Sequence, residues 1–258
     1  MSRSALDFGI ANDGITLVTI ALNQAIAACA AQGGGVLTFP PGRYLTGTVQ
    51  LQSNITLHLE PGAVLLGSQN PEDYPLVQMR WEGAEQLVHS PLITGAGLAN
   101  IAITGQGSID GQGQVWWDWH RTRSLPYARP RLVSFVDCSH VLIQGITARN
   151  SPAWTITPLR CEYVTIEGVT VLNPWGSPNT DGINPDSCRF VHISNCHIDV
   201  GDDCITIKSG REGPNGERSH LTPCEHITVT NCTMAHGHGG VVIGSEMSGD
   251  VRNVVISN

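Results

Sequence analysis

Four passages repeat one pattern: His140-Val141-Leu142-Ile143, Tyr163-Val164-Thr165-Ile166, Phe190-Val191-His192-Ile193 and His226-Ile227-Thr228-Val229. Each reads as a short strand with inward-facing apolar positions two apart, the period of a half-buried strand. Asn100-Ile101-Ala102-Ile103 and Asn253-Val254-Val255-Ile256 extend the series, and Asn54-Ile55-Thr56-Leu57 looks like an earlier member. The steps from Val141 through Val164, Val191 and Ile227 to Val254 are 23, 27, 36 and 27 residues, the long one containing the polar insertion Gly210–Pro223. Repeats of this length, built of short strands without a helical period, predict an all-β, right-handed parallel β-helix in which each coil buries its face against the next. A leucine-rich repeat would need a Leu-rich consensus and a helical segment in each unit, and neither is present.

The rest of the chain agrees with this reading. Of its 258 residues 41% are hydrophobic but only 14% charged, and Gly occurs 29 times, a composition that disfavours helical bundles and coiled coils. A single domain over 1–258 is expected, with no apolar run of membrane-spanning length. Cys138, Cys161, Cys188 and Cys224 each stand three residues before a repeat valine or isoleucine, while Cys196 and Cys232 stand five after. They therefore read as small stacking positions inside the coils. Without a Cys-x-x-Cys pair, metal binding by these cysteines is disfavoured. Leu22, Ile26, Cys29 and Ala30 form a helical apolar face, stopped by Gly33-Gly34-Gly35, so a helix in the region 13–35 is predicted to cap the coil stack. Lys+Arg number 14 against 22 Asp+Glu, a formal charge of −8, which offers no broad basic surface for nucleic acid.

Three polar clusters interrupt the coils: Asn179-Thr180-Asp181-Gly182, Gly201-Asp202-Asp203 and Gly237-His238-Gly239. Asp202 and His238 each lie 11 residues beyond their repeat residue, so they occupy the same position on successive coils. Asp181 lands near the same wall once the extra length around Asn173–Pro178 is allowed for. With coils about 4.7–4.9 Å apart, three carboxylates and an imidazole converge within roughly 10 Å. Like charges that close raise the pKa of one carboxyl group. A protonated acid beside ionised carboxylates is the equipment for cleaving a glycosidic bond, one group protonating the leaving oxygen while another activates water.

The ordered set Asn-Thr-Asp-Gly, Gly-Asp-Asp and Gly-His-Gly on a β-helix repeat closely resembles the polygalacturonases of glycoside hydrolase family 28. Gly34-Gly35-Val36-Leu37-Thr38-Phe39-Pro40-Pro41-Gly42 and Ile109-Asp110-Gly111-Gln112-Gly113 carry the resemblance further, over nearly the whole chain from Asp13. It implies inverting hydrolysis of α-1,4 links between galacturonic acids, without a metal or other cofactor. Asp202 would be the general acid. Asp181 and Asp203 would hold and activate the water. His238 would support the acid's protonation state or bind the sugar, Asn179 would orient a carboxylate or contact the substrate, and Gly237 and Gly239 would contact the substrate. The resemblance also implies an Arg-x-Lys motif that binds the substrate carboxylate, and a later tyrosine, both beyond the coil starting at Val254. On this reading the chain is C-terminally incomplete and ends in mid-coil.

Lys208, six residues after Asp202, is then the expected cation of the cleft. Arg121, Arg123, Arg129 and Arg131, following Trp116-Trp117-Asp118-Trp119-His120 in a long loop, would supply a basic and aromatic rim for an acidic sugar chain. His236 and His238 lack a third metal ligand at a convincing spacing. The alternatives are a Ca²⁺-dependent pectate lyase, for which no arginine or lysine base is identified, and a non-catalytic carbohydrate-binding β-helix. The expected partner is a galacturonan polysaccharide or oligosaccharide, with no nucleic acid or membrane and a monomeric state. Met1 to Asn12 contain no secretory signal, so the chain as given reads as cytoplasmic, or as secreted or periplasmic if a leader has been removed.

Overall fold

A computed structural model describes residues 2–258 and shows a right-handed parallel β-helix whose coils carry three sheets. The longest sheet has nine strands, and its register is the one the repeat predicts. Ile101 pairs with Val141, Val141 with Val164, Val164 with Val191, Val191 with Ile227 and Ile227 with Val254. From Ile101 to Ile227 these residues and their partners two positions on, such as Ile143, Ile166 and Ile193, point inward and are almost fully buried, whereas in the last coil Val254 is half-buried and Ile256 is exposed. Burying each such side chain contributes about 1.5–3 kcal/mol, which fixes the register because a one-residue slip would turn the whole row outward.

The first residue of each repeat has a definite structural task. Asn54, Asn100, His140, Tyr163, Phe190, His226 and Asn253 all adopt left-handed backbone, with φ between 54° and 63°. That conformation costs a non-glycine residue roughly 1–2 kcal/mol. In the central coils ring stacking offsets the cost: His140, Tyr163, Phe190 and His226 form a continuous ladder with centroids 5.0, 5.0 and 5.1 Å apart. Nearer the N-terminus, Asn100 Nδ2 donates to Asn54 Oδ1 at 3.0 Å.

The second sheet has seven strands, from Gly42–Thr46 to Thr233–His236. The third is continuous from Val49–Gln50 through Ile93–Ala96 and Val133–Val136 to Ile156–Leu159. Beyond that it continues through isolated bridges, Ile156 to Ile183 and Ile183 to Ile205, before Ile205–Ile207 pairs with Val241–Ile243. Pro185, which has no N–H for the ladder, lies in this interruption. The three polar clusters lie just before this sheet, in the turns that lead to Ile183, Ile205 and Val241.

The helix Thr19–Ala30 buries Leu22, Ala25, Ile26 and Cys29 against the first coils. An antiparallel hairpin, Leu76–Trp81 with Ala84–His89, folds over the outer face of the third sheet, where Trp81 stacks on Trp154 at 5.1 Å. Cys138, Cys161, Cys188, Cys196, Cys204 and Cys224 are free and buried. The tryptophan-rich stretch departs from the loop expected for it. Gln114–Thr122 is a helix that buries Trp116 and Trp117 and presents His120 and Arg121 at its C-terminal end, where cations complement the helix dipole. No helix among the described residues is long and apolar enough to cross a membrane.

Candidate active site

Asp181, Asp202 and Asp203 come together where the second sheet turns into the third. One carboxylate oxygen from each lies within 4.8 Å of the others. Backbone hydrogen bonds stack the turns: Gly182 N–H donates to Asp203 O at 2.9 Å, His238 N–H to Asp202 O at 3.0 Å and Cys204 N–H to Gly239 O at 2.9 Å. The sequence offset of 11 residues that aligned Asp202 with His238 therefore becomes direct contact between coils.

The three carboxylates differ in environment. Asp181 is the floor, 4% exposed, with Oδ2 accepting from Asn184 Nδ2 at 2.9 Å and Thr206 Oγ1 at 3.2 Å. Burial first, and the Asp202 charge second, push its carboxyl up to about 6. Asp203 is raised by the same two causes, opposed by Lys208 and His238. Asp202 is more accessible, with its side chain 24% exposed, and its Oδ1 lies 3.3 Å from His238 Nδ1. Three oxygens at this separation also offer a hard cation a partial ligand set, although Ca²⁺ takes 6–8 oxygens.

The flanking residues have specific tasks. Asn179 Oδ1 accepts from Arg129 Nη2 at 2.6 Å, and Arg129 Nη1 donates to Pro152 O and Pro178 O, so the arginine locks the Asn179 turn. Gly237 permits close coil approach, since a Cβ there would stand 2.7 Å from Asp202 O of the neighbouring coil; a Cβ on Gly239 would stand 2.3 Å from Val242 Cγ2 of its own coil and 3.2 Å from Asp203 Oδ1.

Lys208 does not fit the free cleft cation expected of it. It is 5% exposed, its Nζ pairs with Glu246 at 2.7 Å, and it lies 5.0 Å over the Trp154 ring. Burial would raise Glu246, but the Lys208 charge and hydrogen bond outweigh it and hold that carboxyl below its usual range. The ammonium thus acts on Asp181 and Asp203 through its field.

The four arginines separate. Arg121 is exposed and pairs with Asp118, whereas Arg131 is buried between Trp81 and Trp154, its guanidinium 5.7 and 4.7 Å from the two rings. Among the described residues no carboxylate pairs with Arg131, and burial lowers its pKa to about 10. Arg123 and Arg129 line a cavity of about 350 Å³ together with Trp81, Glu82, Trp119, His120, Tyr127 and Asn179. Burial and the Arg129 charge hold His120 below the usual imidazole range. An aromatic and cationic pocket therefore opens two residues from Asp181.

Sequence reasoning missed Asn184, Thr206, Glu246 and the hairpin Trp81. Thr206 alone had a usable signal, since it alternates with the inward Ile205 and Ile207 and so faces the site.

A parallel β-helix whose neighbouring coils bring three carboxylates together describes the class of protein, and comparison with known proteins narrows it. Residues 38–258 match Glycosyl hydrolases family 28, and residues 2–70 match Rhamnogalacturonase A/epimerase, pectate lyase-like. The chain belongs to family 28 of the glycosyl hydrolases. It is similar to a Vitis vinifera protein described as a probable polygalacturonase, with 37% identity over 98% of this chain and 53% of that protein. Among solved structures, the exopolygalacturonase of Thermotoga maritima superposes with a TM-score of 0.91 at 37% identity, covering 100% of this chain and 66% of that one. The family 28 exopolygalacturonase of Yersinia enterocolitica gives 0.86 at 26% identity, covering 99% and 53%. The chain spans about half the length of the curated relatives it matches.

Proposed function

We propose that this protein hydrolyses α-1,4-galacturonosidic bonds of pectic galacturonan, removing residues from the chain end. The observation that carries the reading is the trio Asp181, Asp202 and Asp203, with carboxylate oxygens within 4.8 Å and an imidazole 3.3 Å from Asp202. Asp202 is the proposed general acid, because the buried Asp181 cannot reach a glycosidic oxygen and, of the two half-exposed carboxylates, Asp202 is the one beside His238. It gives its proton to O4 of the departing sugar as the C1–O4 bond breaks. Asp181 and Asp203, both raised, take the proton of the water that attacks C1.

The oxygens lie closer than the roughly 6.5–9.5 Å usual for inverting glycosidases, so inversion rests on membership of family 28. The pocket of Arg123 and Arg129 supplies the local cations that a chain of net charge −8 needs to hold an anionic sugar, with His120 as a neutral hydrogen-bonding group beside them. It is walled by Trp81, Trp119 and Tyr127, which suits one terminal residue better than a chain passing through. The two similar solved structures described as exopolygalacturonases support the same reading.

Chromatography of the earliest products from polygalacturonate tests it. Free galacturonate is expected as the first and dominant product, with solution viscosity falling slowly. A ladder of mixed oligomers with rapid loss of viscosity would overturn end-wise action.

A further inference from the structure

Of the six tryptophans, Trp175 alone is presented to solvent: it is 69% exposed, whereas Trp81, Trp116, Trp117 and Trp154 are buried and Trp119 is half-buried. An indole left in water forfeits the burial of about 150–250 Å² that aromatic side chains ordinarily gain. Nothing in the coil packing requires a tryptophan here. The segment belongs to the extra length around Asn173–Pro178 and contributes no strand to any sheet.

The loop is nevertheless firmly held. Ser177 N–H donates to Pro174 O at 3.0 Å, closing a four-residue turn with Gly176 at φ 81°, the backbone a glycine supplies. Ser177 Oγ bonds Thr180 Oγ1 at 2.6 Å, and Asn173 Nδ2 donates to both Thr155 Oγ1 and Thr180 O. Arg121 Nη2 clamps the turn from outside through Gly176 O at 3.1 Å. The backbone that carries the ring is therefore fixed before any ligand arrives, which removes part of the ordering cost of binding.

Its position is specific. The Trp175 ring stands edge-to-face with His238 at 5.9 Å, and His238 is the neighbour of Asp202. The indole also borders an open groove of about 460 Å³ with Arg149, Asn150, Pro174 and the His236–Asp199 pair, whose Nδ1 and Oδ1 lie 3.0 Å apart. The acid and its imidazole face the oxygen that leaves, so a ring beside His238 faces the departing part of the chain rather than the residue in the Arg123 pocket. We infer that Trp175 is a stacking platform for the aglycone side of an α-linked uronic acid oligosaccharide, an inference that rests on the proposed hydrolase reading for which side is which.

The test measures binding of trigalacturonate by calorimetry in an Asp202→Asn background, where the ligand is not consumed. Trp175→Ala is expected to weaken binding about 10- to 100-fold, and Trp175→Phe by less than about threefold. Ligand-induced change in tryptophan emission should be clearly smaller in the Phe variant than in the parent, the remainder coming from Trp81 and Trp119 of the other pocket; a merely structural Trp175 would leave the two changes equal. Binding of the Ala variant within twofold of its parent overturns the platform, and leaves the hydrolase reading intact if the unsubstituted protein cleaves polygalacturonate. Weakened binding by the Ala variant when the unsubstituted protein cleaves nothing supports the platform and refutes the chemistry. Failure of the parent to bind trigalacturonate overturns both.

Discussion

Replacing Asp202 by Asn is expected to lower kcat by about 10³- to 10⁴-fold while KM stays within about twofold, because a positioned general acid contributes up to about that factor. The amide keeps the volume and can still accept the Asp203 N–H, which donates to Asp202 Oδ1 at 2.9 Å, so the turn should hold. What it cannot do is deliver a proton to the departing oxygen. That distinction gives the test its specificity. On an aryl galacturonide whose leaving group needs no proton, the Asn variant should recover most of its lost rate. Equal losses on natural and activated substrates would move Asp202 out of the acid role, and near-parental turnover would remove it from the mechanism.

Asp181→Asn should abolish hydrolysis and at the same time stabilise the fold at neutral pH. The carboxyl is 4% exposed and is pushed up to about 6, so ionising it in the folded state costs more than ionising it in the unfolded chain. The folded protein therefore holds a proton that the unfolded chain releases between about pH 4 and 6, and stability falls as pH rises through that window. A displacement of about two units corresponds to roughly 3 kcal/mol at most. Part of this is returned, because Asn184 and Thr206 lose a charged acceptor. A net gain on the order of 1–2 kcal/mol remains, or about 2–4 °C in Tm for a chain of this size. The gain should be full above about pH 6.5 and vanish near pH 4. A Tm that falls on substitution at pH 7, or a gain independent of pH, would show that Asp181 is not held against its burial.

What could be read without the structure divides along a physical line. The β-helix was legible because each coil meets only its neighbours, so a local period carries the whole register: Val141, Val164, Val191, Ile227 and Val254 stack as the spacing requires. The carboxylate wall was legible for the same reason, as a constant offset from the repeat residue. Contacts outside the repeat were not. The hairpin Leu76–His89 reaches the third sheet through Trp81 on Trp154, and Arg80 reaches Asp186 at 2.9 Å across 106 residues. No period connects such pairs. Lys208 illustrates the cost, since its partner Glu246 lies 38 positions away and its spacing from Asp202 alone made it look free. Gly237 and Gly239 are a related case, since a sequence does not show that Asp202 O and Val242 press against them.

The most direct measurement follows reducing ends and ultraviolet absorbance together while the protein acts on polygalacturonate, with and without a chelator. Hydrolysis at the Asp181–Asp202–Asp203 wall predicts reducing ends that accumulate at the same rate in both conditions, with absorbance flat. Rising absorbance, which marks the unsaturated uronate of a lyase, or activity that disappears with the chelator, would contradict it; so would no new reducing ends at all, the result for a β-helix that only binds.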